Sequence, residues 1–481
     1  MAAVMDKCVI RSTVMSLGFL VTLYLAGTLV LGYFASTFVH GSSDFFNAGR
    51  RLPFVLSSFA LFALWFGSET ILGASSEFIE HGLLGVMEDP FGACLCLLLF
   101  GLFLVRPLYR QNLLTLGDLF HNAYGRKTEY LSSFFMILTF VGYAAAQIIA
   151  LAFLFESAFG IDQVYGRLIS ALVVTCYTAA GGMWAVSITD FVQSLVIMAG
   201  LVFLCINLSS QVEMAAVFAP PTVHFLDFFP SSDNGMSWLD YLAAWMTLAL
   251  GSLASQDIFQ RANAARTENI AVWSTIFGAV LYLCFAMLPM YLGLVVFQLD
   301  PALLEGERQN IILRLVEGHA PLWVQALFFG SLISAVFSTC SGALLAPSSI
   351  LAENLIRPLF YPDIDDAGLL RISRLSVAFI AVISTAIAFS SDSIYDLVAE
   401  SSTLGAVSIL IPMLNALFGK HRSSLGAWLA MSLGLLGYVI CEYGVEDFPV
   451  PAMFVGMACS WAGLLTGNML QSAKLTSLRQ Q

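Results

Sequence analysis

Charge is scarce in this chain. Only 11% of its 481 residues are Asp, Glu, Lys or Arg, where a soluble domain carries about a quarter. With 59% hydrophobic residues and a mean hydropathy of +0.85, there is too little polar surface to coat a compact fold. A water-soluble globule is therefore excluded, and lipid must be the solvent for most of the chain. Basic residues are the scarcer sign, 20 against 32 acidic for a net charge of −12, so a nucleic-acid partner, which needs a basic stripe, is not expected. Paired cysteines are missing as well. The nine cysteines are scattered, mostly inside apolar runs (Cys94, Cys96, Cys176, Cys205, Cys284, Cys340), with no C-x-x-C pair at metal spacing, and read as small buried hydrophobes. The six histidines form no metal cluster, and neither a nucleophile elbow nor paired acids at hydrolytic spacing occurs, so the chain is not expected to be an enzyme.

Long apolar runs fill the space left by charge. The first, from about Val14 to Val39, is longer than the roughly 7–15 residues of a signal-peptide core and has no small-residue cleavage pattern, so it is read as a retained helix. Counting stretches of about 20 mostly apolar residues predicts an all-α membrane protein with about thirteen spans. These lie near 13–38, 54–80, 84–105, 127–159, 163–181, 186–207, 236–259, 268–298, 320–355, 371–391, 393–418, 423–442 and 448–470. Tight turns such as Gly181-Gly182 and Ser390-Ser391-Asp392 separate several of them. With the N-terminus outside, fifteen of the 20 basic residues fall in inner loops, among them Arg50, Arg51, Arg106, Arg110, Arg126 and Lys127; Lys7, Arg11, Arg167, Arg308 and Arg314 fall outside. That asymmetry has the sense of the positive-inside rule and predicts a cytoplasmic C-terminus.

Two of these spans are interrupted in a related way. Leu64-Trp65-Phe66-Gly67-Ser68-Glu69 and Leu248-Ala249-Leu250-Gly251-Ser252-Leu253 each put a Gly-Ser pair in mid-membrane, five helices apart. Gly weakens a helix ladder and Ser can satisfy backbone groups that unwinding frees. One such pair serves close helix packing as readily as function. Two at corresponding positions point to an inverted-repeat transporter with its site at the midplane. Intramembrane acids add to this, because an ionised carboxylate at the bilayer centre costs about 3 kcal/mol and is usually interior and functional. Glu69 sits at the first break, and Glu88 and Asp89 sit just inside the next span. Asp190, Asp257 and Glu353 lie near span ends, where solvation or pairing with a nearby Arg is the competing reading. In the ninth span, Ser331, Ser334, Ser338, Thr339 and Ser341 form a hydroxyl cluster of the oxygen chemistry that sodium prefers, although such residues also join helices.

The residues then resemble a known family. Phe45-Phe46-Asn47-Ala48-Gly49-Arg50-Arg51-Leu52-Pro53 resembles the loop after the first helix of sodium/solute symporters. Gly181-Gly182 through Thr189-Asp190 to Gln193 resembles that family's hallmark motif, and Ser334-Ala335-Val336-Phe337-Ser338-Thr339, continuing to Ser348-Ser349 and Glu353-Asn354, resembles its eighth core helix. The resemblance implies a leucine-transporter-type fold, five helices and five inverted, with one extra helix before and two after. The corresponding divisions are 1–53 (extra helix and inner loop), 54–207 (first repeat), 208–235 (outer loop), 236–418 (second repeat) and 419–481 (last two helices and tail). It also implies a sodium ion held by the carbonyls of Ala63, Phe66 and Ala335 and the hydroxyls of Ser338 and Thr339, with Asp190 on a second ion route.

For the solute, Glu69 and Asp89 align with acids that bind sugar hydroxyls in one branch of the family. Trp65, Gly142-Tyr143-Ala144-Ala145-Ala146 and Ile258-Phe259-Gln260-Arg261 look more like the choline-carrying branch, in which rings surround the cation. Trp65 and Tyr143 fall on two ring positions, while Ser255 stands at a third. Candidate solute-binding residues are thus Trp65, Glu69, Asp89, Tyr143, Gly251 and Ser255, and the expected solute is an amine or quaternary ammonium, since ring faces attract cations. A polyhydroxyl or amino-acid solute remains the alternative, because carboxylates also accept sugar hydroxyls. A transporter-like membrane sensor is a further alternative. The expected partners are sodium, a small solute and the lipid bilayer of the cytoplasmic membrane.

Overall fold

A bilayer offers backbone amides no water, so each spanning segment must satisfy its own N–H and C=O groups as a helix. The computed structural model of the chain is helical accordingly, and among the described residues the one extended pairing is an isolated bridge between Leu52 and Ala265. It describes residues 41–218, 222–305, 310–391, 393–445 and 448–480, with scattered positions between 19 and 38. The expected span at 13–38 falls, apart from those positions, outside the described residues, as do Lys7, Arg11, Arg308 and Asp392.

Among the described residues, nine helices are long and apolar enough to cross a membrane, fewer than the thirteen stretches the sequence suggested. Each shortfall has a local cause. The first stretch is outside the description. The second is cut after Trp65, leaving α1, Phe54–Trp65, below spanning length; beyond the cut the chain resumes as a π-helical turn at Glu69–Gly73 and then α2, Ala74–His81. The fifth and sixth stretches join as one element, Gln163–Ser209, bent at Gly182 (φ 58°, ψ −172°), so that only the part after the bend reaches spanning length. The seventh is cut into Trp238–Gly251 and Gln256–Asn263.

Label the remaining elements in order: α3 Arg126–Phe159, α4 Gln163–Ser209, α5 Trp238–Gly251, α6 Gln256–Asn263, α7 Glu268–Leu299, α8 Leu322–Ile350, α9 Asp366–Ala388, α10 Ile394–Gly405, α11 Ser424–Gly444 and α12 Ala452–Gln480. The span that contains α8 is 89% buried against protein, whereas that of α12 is 33% buried. This identifies α8 as a central helix and α12 as a lipid-facing one. α8 packs on α3, α4 and α9, α1 packs on α7 and α4, and α5 and α10 lie together. α11 and α12 pack mainly on each other, at the edge of the bundle.

The backbone loop ahead of α1 ties the two interrupted helices together. Leu52 N–H donates to Ala264 O and Arg266 N–H donates to Leu52 O, both at 3.0 Å. The two segments that resembled family motifs also meet. A Cβ on Gly182 would lie 2.7 Å from the Phe45 ring and 3.0 Å from its Cα, so the positive φ and the close approach both demand glycine there.

Candidate functional site

Both predicted interruptions exist, and they differ in form. At the first, Phe66 leaves the helix (φ −83°, ψ 83°) and Gly67 N–H donates to Trp65 O at 3.0 Å. At the second, a 3-10 turn at Ser252–Ala254 leads to an extended Ser255 (φ −82°, ψ 129°), which opens α6. Each cut frees backbone groups in the middle of the protein, where they can face a polar guest only if side chains converge on them.

Against the first cut lies α8. Its Thr339 hydroxyl is 3.1 Å from Ala63 O and 3.1 Å from Ala335 O, and a Cβ on Gly67 would lie 3.0 Å from that same hydroxyl. Ala63, Ala335 and Thr339 are thus brought together, with Phe66 in the adjoining break. Ser338, beside Thr339, turns elsewhere and donates to the Asp190 carboxylate. Along the same helix Ser331, Ser348 and Ser349 bond back to carbonyls of their own helix, as helical serines commonly do, whereas Ser338 and Thr339 also reach other elements.

Asp190 and Arg261 are both fully buried, with Arg261 Nη2 3.7 Å from Asp190 Oδ2. Arg261 fits because Gly342 has no side chain: a Cβ there would lie 2.7 Å from Nη2. Asp190 had two readings open to it, at the inner interface or on an ion route. It sits in the protein interior, between the hydroxyl of Ser338 and the guanidinium of Arg261.

On the other side of the first cut is a cavity of ≈ 50 Å³ whose walls include Trp65, Glu69, Tyr143, Gly251 and Ser255, five of the six candidate solute residues. Glu69 is buried and held by neutral donors: Gln147 Nε2 at 2.8 Å and Tyr143 OH at 3.2 Å. Ser68 in turn fixes Gln147, donating to its Oε1 at 2.7 Å. Asp89 is the sixth candidate and does not line this cavity. Its carboxylate accepts from Thr70 at 3.1 Å and from Tyr282. Its place follows from helix geometry, since adjacent residues point roughly 100° apart and Thr70, next to Glu69, bonds Asp89 behind the wall that Glu69 forms.

Sequence reasoning missed several members of this wall. Asp257, assigned to a span end beside Arg261, lines the cavity instead; its Oδ1 accepts from Ile258 N–H at 2.7 Å and from the Ser255 hydroxyl. Thr139 and Phe140 of α3 and Ser401 and Ser402 of α10 also line it. Gln147, which holds Glu69 from behind the wall, carried a usable signal, a polar residue one turn after Tyr143 in the apolar run 144–155. Ser401 and Ser402 carried none, arriving from 150 residues further along the chain. Glu353 took the bland reading, paired with Arg357 at 2.6 Å.

Residues 45–434 match the sodium:solute symporter family. Among curated proteins the chain is similar to the high affinity choline transporter 1 of Homo sapiens, 27% identical over 402 residues that cover 80% of this chain and 69% of that one. It is also similar to the sodium/proline symporter of Haemophilus influenzae, 27% identical with 94% of each covered. Among solved structures, a substrate-bound, outward-open Na+-coupled sialic acid symporter superposes with a TM-score of 0.81 at 19% identity, covering 94% of this chain and 97% of that one. At that identity the likeness establishes a shared fold.

Proposed function

Since the chain belongs to the sodium:solute symporter family, a family of multi-pass membrane transporters rather than enzymes that couple to sodium, we propose that it carries a small cationic solute, an amine or quaternary ammonium, by alternating access. The reading assigns sodium to the carbonyls of Ala63, Phe66 and Ala335 and the hydroxyls of Ser338 and Thr339. It assigns the solute to Trp65, Glu69, Tyr143, Gly251 and Ser255, with Asp89 steadying the wall from behind through Thr70. Asp190 shares Ser338 with the sodium site and so provides a second ion route. Five helices from 54–207 and five from 236–418 would form the inverted repeats, in a cytoplasmic membrane with the N-terminus outside.

One observation carries this reading most of the way: a broken helix places Thr339 against Ala63 on one side and a buried carboxylate, Glu69, on a cavity wall on the other. Ion and solute would then share one short segment, Ala63–Glu69. A sodium ion drawing Thr339 and the freed carbonyls together fixes the segment that bears Trp65 and Glu69, which couples the two loads. Moving one charge through 100 mV supplies about 2.3 kcal/mol, enough for a roughly fiftyfold accumulation. A second reading, a neutral polyhydroxyl or amino-acid solute, draws support from the hydroxyls of Thr139, Ser252, Ser401 and Ser402 on the same walls.

The test is uptake into proteoliposomes by a Ser338→Ala/Thr339→Ala double variant. The variant is expected to fold, which thermal unfolding in detergent checks, and to lose sodium-stimulated uptake. Unchanged sodium dependence in that variant sinks the ion-site assignment.

A further inference from the structure

We infer that the solute is a small protonated amine that keeps N–H groups, rather than a quaternary ammonium or a carboxylate-bearing molecule, and that Asp257 selects it. The inference rests on the solute cavity proposed above. A quaternary ammonium has no N–H to donate and is held by ring faces. The cavity offers Trp65, Phe140 and Tyr143, but the remaining ring position is Ser255, whose hydroxyl is turned to Asp257. Beside those three rings the cavity carries a carboxylate, to which a quaternary ammonium cannot donate a hydrogen bond.

Acceptors dominate the wall. Glu69 and Asp257 face one cavity from the two interrupted helices, and the hydrogen bonds each receives come from neutral groups: an amide and a phenol for Glu69, a hydroxyl and a backbone N–H for Asp257. Both bonds to Asp257 fall on Oδ1, so Oδ2 keeps its capacity to accept from a solute. An ammonium with two or three N–H groups would make charge-assisted bonds to both acids, bonds that are roughly twice as strong as neutral ones. Each methyl that replaces a hydrogen deletes a donor and adds bulk to a cavity of ≈ 50 Å³.

A solute carboxylate finds no pole of its own. In interrupted-helix transporters such a group is commonly met by the free N–H groups at a half-helix N-terminus. Here α6 opens at Ser255, and Asp257 in its first turn already takes the Ile258 N–H at 2.7 Å. Asp257 thus takes one first-turn N–H and sets its own charge beside the others, so a second negative charge would meet Asp257 as well as the dipole.

The experiment measures binding to the full-length protein in sodium and in potassium, using ethanolamine, N-methylethanolamine, N,N-dimethylethanolamine and choline, with glycine and betaine as carboxylate probes. Affinity in sodium is expected to fall at each methylation, by about tenfold or more from ethanolamine to choline, because a site built to hydrogen-bond an N–H rejects analogues without it. Glycine and betaine are expected not to bind. Asp257→Asn is expected to flatten the series by weakening ethanolamine and sparing choline, and Ser255→Trp to tilt it toward choline. Choline binding as tightly as ethanolamine overturns the inference, as does a series whose slope Asp257→Asn leaves unchanged. Absence of sodium-dependent binding by any amine also overturns it, and whether sodium alone still stabilises the wild type, and not the Ser338/Thr339 double variant, then tells whether the ion site falls with it. Should Asp257→Asn fail to fold, the wild-type series and Ser255→Trp decide the matter.

Discussion

The two interrupted helices use one device for different ends. In the first, the break lies against side chains of α8, and the nearest neighbour of Gly67 is the Thr339 hydroxyl. In the second, the break lies against backbone: a Cβ on Gly251 would overlap the Ser402 carbonyl, and one on Gly405 would lie 2.5 Å from Gly251 O. A side-chain contact can adjust by a rotamer. A backbone contact between two helices cannot, so the second break is a fixed crossing and the first an adjustable one. The same contrast holds for their freed groups. Ala63 O is met by a hydroxyl that an ion could also recruit, whereas at the start of α6 the Ile258 N–H is taken by Asp257 of the same turn. In the proposed reading the first cut thus carries the ion side and part of the solute wall, while the second lies on the solute side alone.

The comparison breaks most severely where the two sides touch. Arg261 extends from the solute-side half-helix to Asp190, which Ser338 joins to the ion side. Arg261→Gln leaves a buried carboxylate without its cation, and removing one partner of such a pair costs about 3–5 kcal/mol. Thermal unfolding in detergent is expected to show this as a large fall in midpoint, with recovery in Arg261→Gln/Asp190→Asn. No fall, or no recovery, means that the pair does not join the halves. A smaller effect is expected from Gly251→Ala, for which overpacking costs about 1–3 kcal/mol. Because the obstacle is the Ser402 backbone, α5 and α10 must part, and the melting point and solute binding should drop together. Retained stability with normal binding would make the crossing less rigid than its geometry implies.

How much of this could be read from the sequence follows from the same contrast. The breaks were legible because Gly67-Ser68 and Gly251-Ser252 interrupt apolar runs, and the family resemblance rested on contiguous motifs. The span count was not, since an interruption that serves function also cuts a helix below the length by which spans are recognised. Asp257 reads as a span-end residue because Arg261, four residues on, is the obvious partner by helical spacing; the ion pair of Arg261 is with Asp190, in space that Gly342 leaves open. Asp89 was set on the solute wall beside Glu69, yet Thr70, the next residue, claims it for the opposite side. Ser401 and Ser402 reach the cavity through long-range packing that no local pattern announces. Local chemistry marks where a helix gives way, and tertiary packing decides what fills the gap.

The smallest expected effect tests the adjustable side directly. Gly67 does not adopt a positive φ, so Ala is allowed there by the backbone, and the new methyl would stand 3.0 Å from the Thr339 hydroxyl. That distance is short enough to push the side chain from its rotamer without moving α8. An off-rotamer shift costs about 0.5–1.5 kcal/mol, which corresponds to a two- to tenfold rise in the sodium concentration that half-activates uptake. The melting point should change little, and solute affinity measured at saturating sodium should stay near that of the wild type. If Gly67→Ala instead destabilises the protein as Gly251→Ala does, both breaks are rigid crossings; if it alters solute affinity and leaves sodium activation alone, Thr339 does not serve the ion. Only a selective loss of sodium affinity fits a first break that gives way to a side chain and a second that does not.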